Sequence, residues 1–536
     1  MVPKEGKDPR TARVSVENLD DFTVKAGLNL REALRREGLY LDGTCADQGV
    51  CGRCVVRVIE GDIEGPSAGE AGFLGSERVN KGERLACRVT VTGDLKLSVD
   101  PGRILEVEKT GRWKETWDSP LWNPDSYPMT GTGYGVALDL GTSSFAAALY
   151  DLEKGRPLDI RSGVNPQMPW GDEVISRLGA AREDPETADR LRDVVWEKVR
   201  EMIRSLCLRN GVSPGMVSSV AVVANSAIHH LALGLPVVSL LVPPYVPFEP
   251  EARDLGADCP PVELDAARDA RVFFPPLVGG YAGSDALVSL LTTTRGDVLR
   301  GALLDVGTNT EIALWDGDRY VLATAPSGPA FEGGRISSGM RAEEGSIWKV
   351  ILRDAAVDIE VIGGGPPKGV CGTGIVDALA QLLEKGLLDR SGLLKKGVHP
   401  CVTGKGLILS EDPEVILRPE DIALVQEAKS AVAATFNVLL KQINLNAADL
   451  GEVYLAGAFG SRLNSDSAVA IGLLPPLKRE AFIPAGNTAL IGGSYILLSE
   501  EARQAAENLA RKITHISVAE DSRFEELFLE NLYLPG

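Results

Sequence analysis

The sequence predicts a chain of two parts: a small mixed α+β domain at the N-terminal end, and a longer α/β region of two related lobes. Three observations carry this. Residues 13–25, RVSVENLDDFTVK, are two short alternating runs around Asn18 to Asp21, a β-hairpin pattern. From residue 134 onward, strand and helix patterns alternate. Within that region VALDLGTSSFAAALYD and GALLDVGTNTEIALWD repeat one order: apolar strand, Asp-x-Gly-Thr, small polar residue, second apolar strand. The two Asp-x-Gly-Thr units begin at Asp139 and Asp305, and a repeat at such separation predicts two subdomains facing each other.

Along the first part, the hairpin is followed by NLREALRREG, where Asn29 suits a helix N-cap, Leu30 and Leu34 share one face, and Gly38 suits the C-cap. Then come the loop GTCADQGVCGRC, a strand VVRVIEG, a polar stretch, LACRVTVTG and a strand DLKLSVD. The expected order is β-β-α-loop-β-β over residues 1–100. Residues 101–133 are rich in Pro, Gly and polar residues, which marks a linker. It holds Trp113, Trp117 and Trp122, so it either packs on a neighbouring domain or makes an oligomer contact, a homodimer included. The remainder divides into 134–210, a first part of the α/β region, and 211–536, its main body. Helical patterns run near 186–209, 375–388 and 421–444.

Composition narrows the function. The 536 residues suit three or four domains at about 150 residues each, and 44% apolar with 24% charged residues is ordinary for a globular protein. A net charge of −19 argues against nucleic acid and against an anionic membrane surface as partners. Eight cysteines in this length do not make a disulfide scaffold. The N-terminal MVPKEGKDPR has no apolar core of a secretory signal. The longest apolar stretch, 231–248, is interrupted by Pro236, Pro243, Pro244 and Pro247 and reads as a buried connection. The expectation is a cytoplasmic protein whose cysteines act as ligands or thiols. Glycine is in excess, at 58 residues, as in chains with tight loops around ligands.

Cys45, Cys51 and Cys54 form C-x5-C-x2-C, and Cys87 follows after 32 intervening residues. A tight loop thus offers three thiolates and a distant strand the fourth, which suits an iron–sulfur cluster. Gly43, Gly49 and Gly52 let the loop curl so that amides point at the sulfurs. Structural zinc also takes four cysteines, but zinc ribbons normally show two C-x2-C knuckles and this chain has one. Four unrelated buried thiols is the third alternative. The pattern resembles the [2Fe–2S] ferredoxins over about residues 10–100, with the five-residue first gap of vertebrate-type members; that resemblance implies a β-grasp fold and a low-potential one-electron carrier. Cys207, Cys259, Cys371 and Cys401 are scattered and read as thiols of no shared function.

The phosphate-binding candidates are the two Asp-x-Gly-Thr turns. An Asp at a strand end can hold Mg²⁺ directly or through water. Gly141 and Gly307 let the turn approach a phosphate, and the amides and hydroxyls of Thr142, Ser143 and Ser144, or of Thr308, Asn309 and Thr310, can donate to its oxygens. VYLAGAFGSRLN, with Gly457 and Gly460, is a strand entering a glycine loop. The trio in this order resembles the ASKHA superfamily of sugar kinases, actin and heat-shock chaperones. By that resemblance Asp139 to Ser143 and Asp305 to Asn309 are the phosphate loops of an ATP site and Gly457 to Gly460 its adenosine loop. Asp305 would then orient the attacking water with help from Glu311. GVCGTGIVDALAQLL opens another helix at a glycine turn; the amides around Gly372 to Gly374 suit either an anion or a plain helix start.

A [2Fe–2S] domain ahead of an ASKHA-type domain is similar, over essentially the whole chain, to the reductive activators of corrinoid-dependent methyltransferases, enzymes of O-demethylation and related systems. ANSAIHHLALGL, PPLVGGYAGSDALVSLL, APSGPAFEGGRISSGM and GVCGTGIVDALAQLLEKGLL carry the match. The resemblance implies ATP-dependent one-electron reduction of a cobalt(II) corrinoid on a partner protein to cobalt(I), with the upstream reductant unspecified. Two alternatives keep parts of this reading: an ATP-driven electron donor to another metalloenzyme, similar to the activators of 2-hydroxyacyl-CoA dehydratases, and a non-catalytic redox-sensing ATP-binding protein. His229 and His230 are adjacent and read as core or hydrogen-bonding residues.

Overall fold

The computed structural model describes residues 11–17, 21–36, 41, 54–61, 63–99, 119–129, 131–171, 173–294, 298–411 and 414–535. Its contacts divide the chain into two units, Met1–Lys109 with Gly163–Ala180, and Thr110–Ser162 with Ala181–Gly536.

The first unit contains β1 (Thr11–Val16), β2 (Phe22–Lys25), α1 (Leu30–Arg36), β3 (Val55–Glu60), α2 (Ala68–Asn80), β4 (Glu83–Leu85) and β5 (Leu95–Ser98). The strands form one mixed sheet in the order β2-β1-β5-β3-β4, with β1 and β5 parallel and the other pairs antiparallel. Alternation in β1 sends Ala12, Val14 and Val16 inward, where they meet Leu30, Leu34, Leu85 and Leu97. The predicted hairpin is β1–β2, and Asn29 caps α1 as expected: its Oδ1 accepts from Arg31 N at 3.0 Å. The expected C-cap, Gly38, lies outside the described residues.

The polar stretch before β4 is α2, a helix the sequence reading left out. Its apolar face is thin and Gly75, at φ 74°, breaks its dihedrals, so the helical period is weak. Burial of charge holds it in place instead. Glu70 on α2 and Arg84 on β4 are both buried and paired through two bonds, Nε to Oε1 at 2.9 Å and Nη2 to Oε2 at 3.1 Å. Leu85 N also donates to Glu70 Oε1, and Arg84 Nη1 donates to Glu64 O.

In the second unit two six-stranded sheets share a common order of five strands. The first comprises β6 (Tyr134–Leu140), β7 (Ser144–Asp151), β8 (Arg156–Val164), β9 (Val217–Ala224), β10 (Arg253–Gly256) and β11 (Arg271–Phe274), in the order β10-β11-β9-β6-β7-β8. Its helices are α4 (Pro185–Arg209), α5 (Ser226–Leu233), α6 (Val238–Leu241) and α7 (Ser284–Thr293), while α3 (Val174–Glu183) falls mostly in the Gly163–Ala180 segment of the first unit. The second begins with β12 (Gly301–Val306), β13 (Thr310–Trp315) and β14 (Tyr320–Ala325). Small sheets follow, β15 (Ser346–Leu352), β16 (Val357–Val361) and β17 (Gly369–Val370), then, after α8 (Gly372–Glu384), β18 (Val402–Thr403), β19 (Gly406–Glu411) and β20 (Glu414–Leu417). The chain continues through α9 (Pro419–Gln442), β21 (Glu452–Ala456), α10 (Gly457–Gly460), α11 (Ser465–Ala470), β22 (Phe482–Gly486), α12 (Thr488–Leu498), α13 (Glu500–Ala510), β23 (Ile513–His515) and α14 (Phe524–Leu532). The second large sheet runs β22-β21-β12-β13-β14-β23.

The correspondence covers five strands, with β10 and β23 added at opposite edges. A meander, β6-β7-β8 or β12-β13-β14, is extended on its first strand by a parallel strand, β9 or β21, and then by β11 or β22. The two Asp-x-Gly-Thr turns fall at the same place in each repeat, between the first two strands. The lobes share a core: Ala137, Ala148 and Val223 of the first sheet and Leu303, Ala313 and Tyr454 of the second pack with α7 and α12. Those helices approach closely at Gly492, where a Cβ would stand 2.5 Å from Val288 O.

One expectation fails. The 231–248 stretch is not a buried connection throughout. Leu231 and Ala232 are buried in α5, but Gly234 ends that helix in the left-handed conformation and the prolines that follow cannot continue it. Val238, Val242, Val246 and Phe248 are left exposed. Among the described residues no helix is long and apolar enough to cross a membrane.

Replacing Arg84 with Met would strand the Glu70 carboxylate without its partner. The expected cost is about 3–5 kcal/mol, confined to the transition that carries the first unit. Scanning calorimetry of the full chain checks this; an unshifted transition of the first unit would contradict it.

Candidate functional site

Cys54 immediately precedes β3, and Cys87 lies in the turn after β4. Their segments are neighbours, with Val55 paired to Leu85 in register and Ala86 N donating to Cys54 O at 2.8 Å. Both side chains are buried in the core of the first unit, and Asn29 Nδ2 holds Cys87 O at 2.9 Å. Two of the four predicted thiolates are therefore brought to one end of the sheet, in an apolar surround that suits a cluster. Cys45 and Cys51, with Gly43, Gly49 and Gly52, lie outside the described residues.

The second unit brings the two predicted phosphate loops together. Each Asp ends the first strand of its repeat, and each Gly-Thr turn leads into the second. At Gly141 the turn closes on itself, N–H to Ser144 O at 3.0 Å, and a Cβ there would stand 2.8 Å from that oxygen. The two turns meet: Ser143 Oγ lies 3.4 Å from Thr308 Oγ1. Gly457, at φ 77°, comes so close to Asp305 that a Cβ would sit 2.5 Å from Oδ1. Gly460 closes the short α10 against Leu455. Gly372 starts α8 directly under Phe331, whose carbonyl oxygen would be 1.9 Å from an added Cβ, and Phe331 stacks on Phe459 of the predicted adenosine loop at 5.3 Å between centroids. Gly374 is equally confined, against Ile347 O. Every nucleotide-site candidate, Asn309 beside Thr308 included, belongs to this unit.

The electrostatics follow from burial. Asp139, Asp305 and Glu311 are partly exposed at the cleft floor yet strongly desolvated, as is Asp285 in the first turn of α7. Desolvation raises Asp139 to about 6, against a hydrogen bond from Asn487 Nδ2 at 2.8 Å that favours the ionised form. It raises Asp305 to about 7, helped by the Asp139 charge, and Asp285 to about 8, with Asp139 and Asp305 adding to the rise. Glu311, directly across from Asp305 in the β12–β13 register, is raised well above the ordinary range by burial and by Asp285 and Asp305. Burial and mutual repulsion thus raise all four acids together, which favours their protonated forms, and among the described residues no group of acids is close enough to hold a metal ion by itself.

Sequence reasoning missed four contributors. Asn225 and Asn487 each cap a helix after a strand, through Oδ1 to Ile228 N and to Leu490 N. Their Nδ2 atoms reach the first phosphate loop, Asn225 to Thr142 Oγ1 at 3.0 Å and Asn487 to Asp139. Asn-Ser-Ala at 225–227 and Asn-Thr-Ala at 487–489 were the available signal. Asp285 and Glu332 had none beyond their glycine-rich surroundings; Glu332 accepts from both Ser143 Oγ and Thr308 Oγ1. His230 bridges Ser226 O and Phe248 N, and His229 is packed edge-on to Phe274 with burial lowering it to about 3, so both serve the core as expected.

Paired phosphate loops between duplicated lobes, in one chain with a cysteine-bearing mixed sheet, define an ASKHA-type domain joined to a ferredoxin domain. Residues 17–92 match the 2Fe-2S iron-sulfur cluster binding domain, 134–295 the RACo middle region and 301–536 the C-terminal ASKHA domain of RACo. A corrinoid activation enzyme, RamQ of Eubacterium limosum, is 34% identical over 417 residues, 74% of this chain and 70% of the relative. The [Co(II) methylated amine-specific corrinoid protein] reductase of Methanosarcina barkeri is 28% identical over 74% of this chain and 76% of its own length. A solved reductive activator for corrinoid,iron-sulfur protein superposes with a TM-score of 0.69 at 26% identity, covering 98% of both chains. The chain belongs to the family of corrinoid-protein reductive activators.

Asp285→Asn tests the electrostatics. A folded-state value near 8, against about 4 when unfolded, means that ionising Asp285 destabilises the fold increasingly as pH rises between those values. The variant is expected to stabilise the nucleotide-free protein on the order of 1–3 kcal/mol at pH 8 after screening by solvent, and much less at pH 5. Thermal unfolding at both pH values decides; an equal gain at each would refute the assignment.

Proposed function

We propose that this chain uses ATP to drive one electron from a [2Fe–2S] cluster, held by Cys45, Cys51, Cys54 and Cys87, onto the cobalt(II) corrinoid of a partner protein, yielding cobalt(I). The observation that carries this reading is the meeting of Ser143 and Thr308, one phosphate loop from each lobe, in a chain that also carries the four-cysteine pattern. When bound, the cluster supplies a one-electron donor. The rest falls to the chain's own residues.

The hydroxyls and amides of Thr142, Ser143, Thr308 and Asn309 would receive the phosphates, with Gly141 and Gly307 permitting the approach. Asp139, steadied by Asn487, would hold Mg²⁺ directly or through water, and the cation would draw the neighbouring acids into their ionised forms. Asp305, its carboxylate fixed against Gly457, would orient the attacking water, and Glu311 beside it could share the proton. The upstream reductant is left open by this reading. A dehydratase-type activator is the weaker alternative, because the matched relatives carry corrinoid names.

Coupling would run through the described end of the linker. Ser119 Oγ donates to Ala485 O at 2.8 Å. Trp122 stacks on Tyr495 at 5.4 Å, and Tyr495 Oη accepts from Asn123 N and donates to Leu121 O. The residues next to Ala485 touch the nucleotide loops: Gly486 N donates to Ser461 Oγ, which donates to Gly457 O, and Asn487 holds Asp139. The tether is thus fastened where a change in the cleft would be felt.

The test mixes the reduced protein with candidate corrinoid proteins, with and without Mg–ATP, and follows cobalt(I) absorbance. Cobalt(I) is expected only with ATP, and Cys54→Ser should abolish it while ATP binding persists. Trp122→Ala should keep ATP turnover within about threefold yet lower the ATP-dependent cobalt(I) yield roughly tenfold, as expected for a lost coupling energy of the usual size. A yield that ignores ATP would defeat the reading.

A further inference from the structure

The segment GPAFEGG, used above only for its resemblance, places a carboxylate among groups expected to bind phosphate. It follows β14 as a short turn, Pro329–Glu332, ended by Gly333 in the left-handed conformation at φ 77°. The turn is tightly confined. A Cβ on Gly333 would stand 2.5 Å from Met340 O, one on Gly334 2.6 Å from Pro329 Cβ, and Phe331 is clamped between Phe459 and Gly372. Glu332 therefore projects from a rigid mount at the junction of the second phosphate loop, the adenosine loop and the start of α8.

Its contacts are specific. Oε2 accepts from Ser143 Oγ at 3.1 Å, in the first lobe, and from Thr308 Oγ1 at 3.0 Å, in the second. Oε1 lies near Gly307, 3.6 Å from where a Cβ would be. These are the same donors that the nucleotide reading assigns to phosphate oxygens. One hydroxyl hydrogen cannot serve a carboxylate and a phosphate at once, and two anions in one partly desolvated cleft repel.

We infer that Glu332 is an anionic placeholder: in the nucleotide-free protein it occupies the phosphate subsite and bridges the two lobes, and incoming phosphates must displace it. This rests on the reading of the cleft as a nucleotide site. It makes Glu332 a specificity-setting residue that weakens binding of nucleotides whose phosphates cannot make up for the lost bridge. Displacement replaces the Glu332 bridge between Ser143 and Thr308 with a phosphate bridge between the same two hydroxyls.

Calorimetric titration of the full-length protein in metal-free buffer with ADP and, separately, with adenosine tests this. Glu332→Gln keeps the shape and removes the charge. The expected result is ADP binding about tenfold tighter with adenosine changed by less than about twofold, the size of one charge-assisted hydrogen bond lost by the competitor. Introducing Ser143→Ala as well should shrink the ADP gain, because the contested donor is gone. Unchanged or weaker ADP binding, or an equal shift for both ligands, overturns the placeholder and leaves the nucleotide site standing. Failure of the unaltered protein to bind either ligand overturns the nucleotide site and the placeholder with it.

Discussion

The structure turns on a group of acids that repel one another. Asp139, Asp285, Asp305 and Glu311 stand at the facing ends of strands and helices from both lobes, and burial pushes every one of them upward. No basic side chain contributes to any of the four shifts. A stability-optimised core would neutralise such a pocket or fill it with apolar groups. Here the surrounding fold absorbs the cost: two sheets share a core through α7 and α12, and the first loop is held by the amides of Asn225 and Asn487. On the reading proposed above, a magnesium nucleotide would bring both the missing positive charge and the phosphates that the neighbouring turns would receive.

Backbone proximity does the positioning. Gly457 lies against Asp305 and Gly372 beneath Phe331, so the turn at Gly457–Gly460, the end of β12 and the start of α8 interlock without room for a Cβ. Interfaces that tight pass from one arrangement to another and do not deform continuously. A hydroxyl pair such as Ser143 and Thr308, one per lobe, is then a sensitive reporter of whether the lobes are together.

Much of this was legible in the sequence because it follows periodic or local rules. The Asp-x-Gly-Thr repeat gave the duplicated meanders, the Asn29 cap gave α1, and helical periods placed α4, α8 and α9 within a few residues of their ends. What escaped depends on distant partners. Helix α2 is fixed by Glu70 meeting Arg84, not by an apolar stripe. The exposed valines of 238–246 read as core because hydropathy cannot see which way a proline-broken loop turns. Asn487 reaches Asp139 across 348 positions of sequence, and Glu332 reaches Ser143 across 189. No local pattern encodes such meetings; only the superposition of the two repeats does.

The energetic demand of the reaction explains why an ATP site should accompany a ferredoxin domain. Ferredoxin-type clusters of the plant kind work at about −400 mV, and cobalt(I) is a strong reductant, so the transfer runs uphill. Each ~59 mV of deficit is tenfold in a one-electron equilibrium. ATP can move that equilibrium only through unequal affinity for two states of the protein or of its complex. On the reading proposed above, the lobes would supply the two states, since their turns meet at Ser143 and Thr308 while α7 and α12 pack both sheets in one core. The linker provides the connection, because Ser119 and Trp122 are fastened to the strand end and helix that follow the cleft. A cluster domain on an unanchored tether would carry electrons at its own potential whatever the nucleotide did; on the proposed reading, anchorage of Ser119 and Trp122 beside Asn487 would let phosphate chemistry in the cleft bear on where and when the electron leaves.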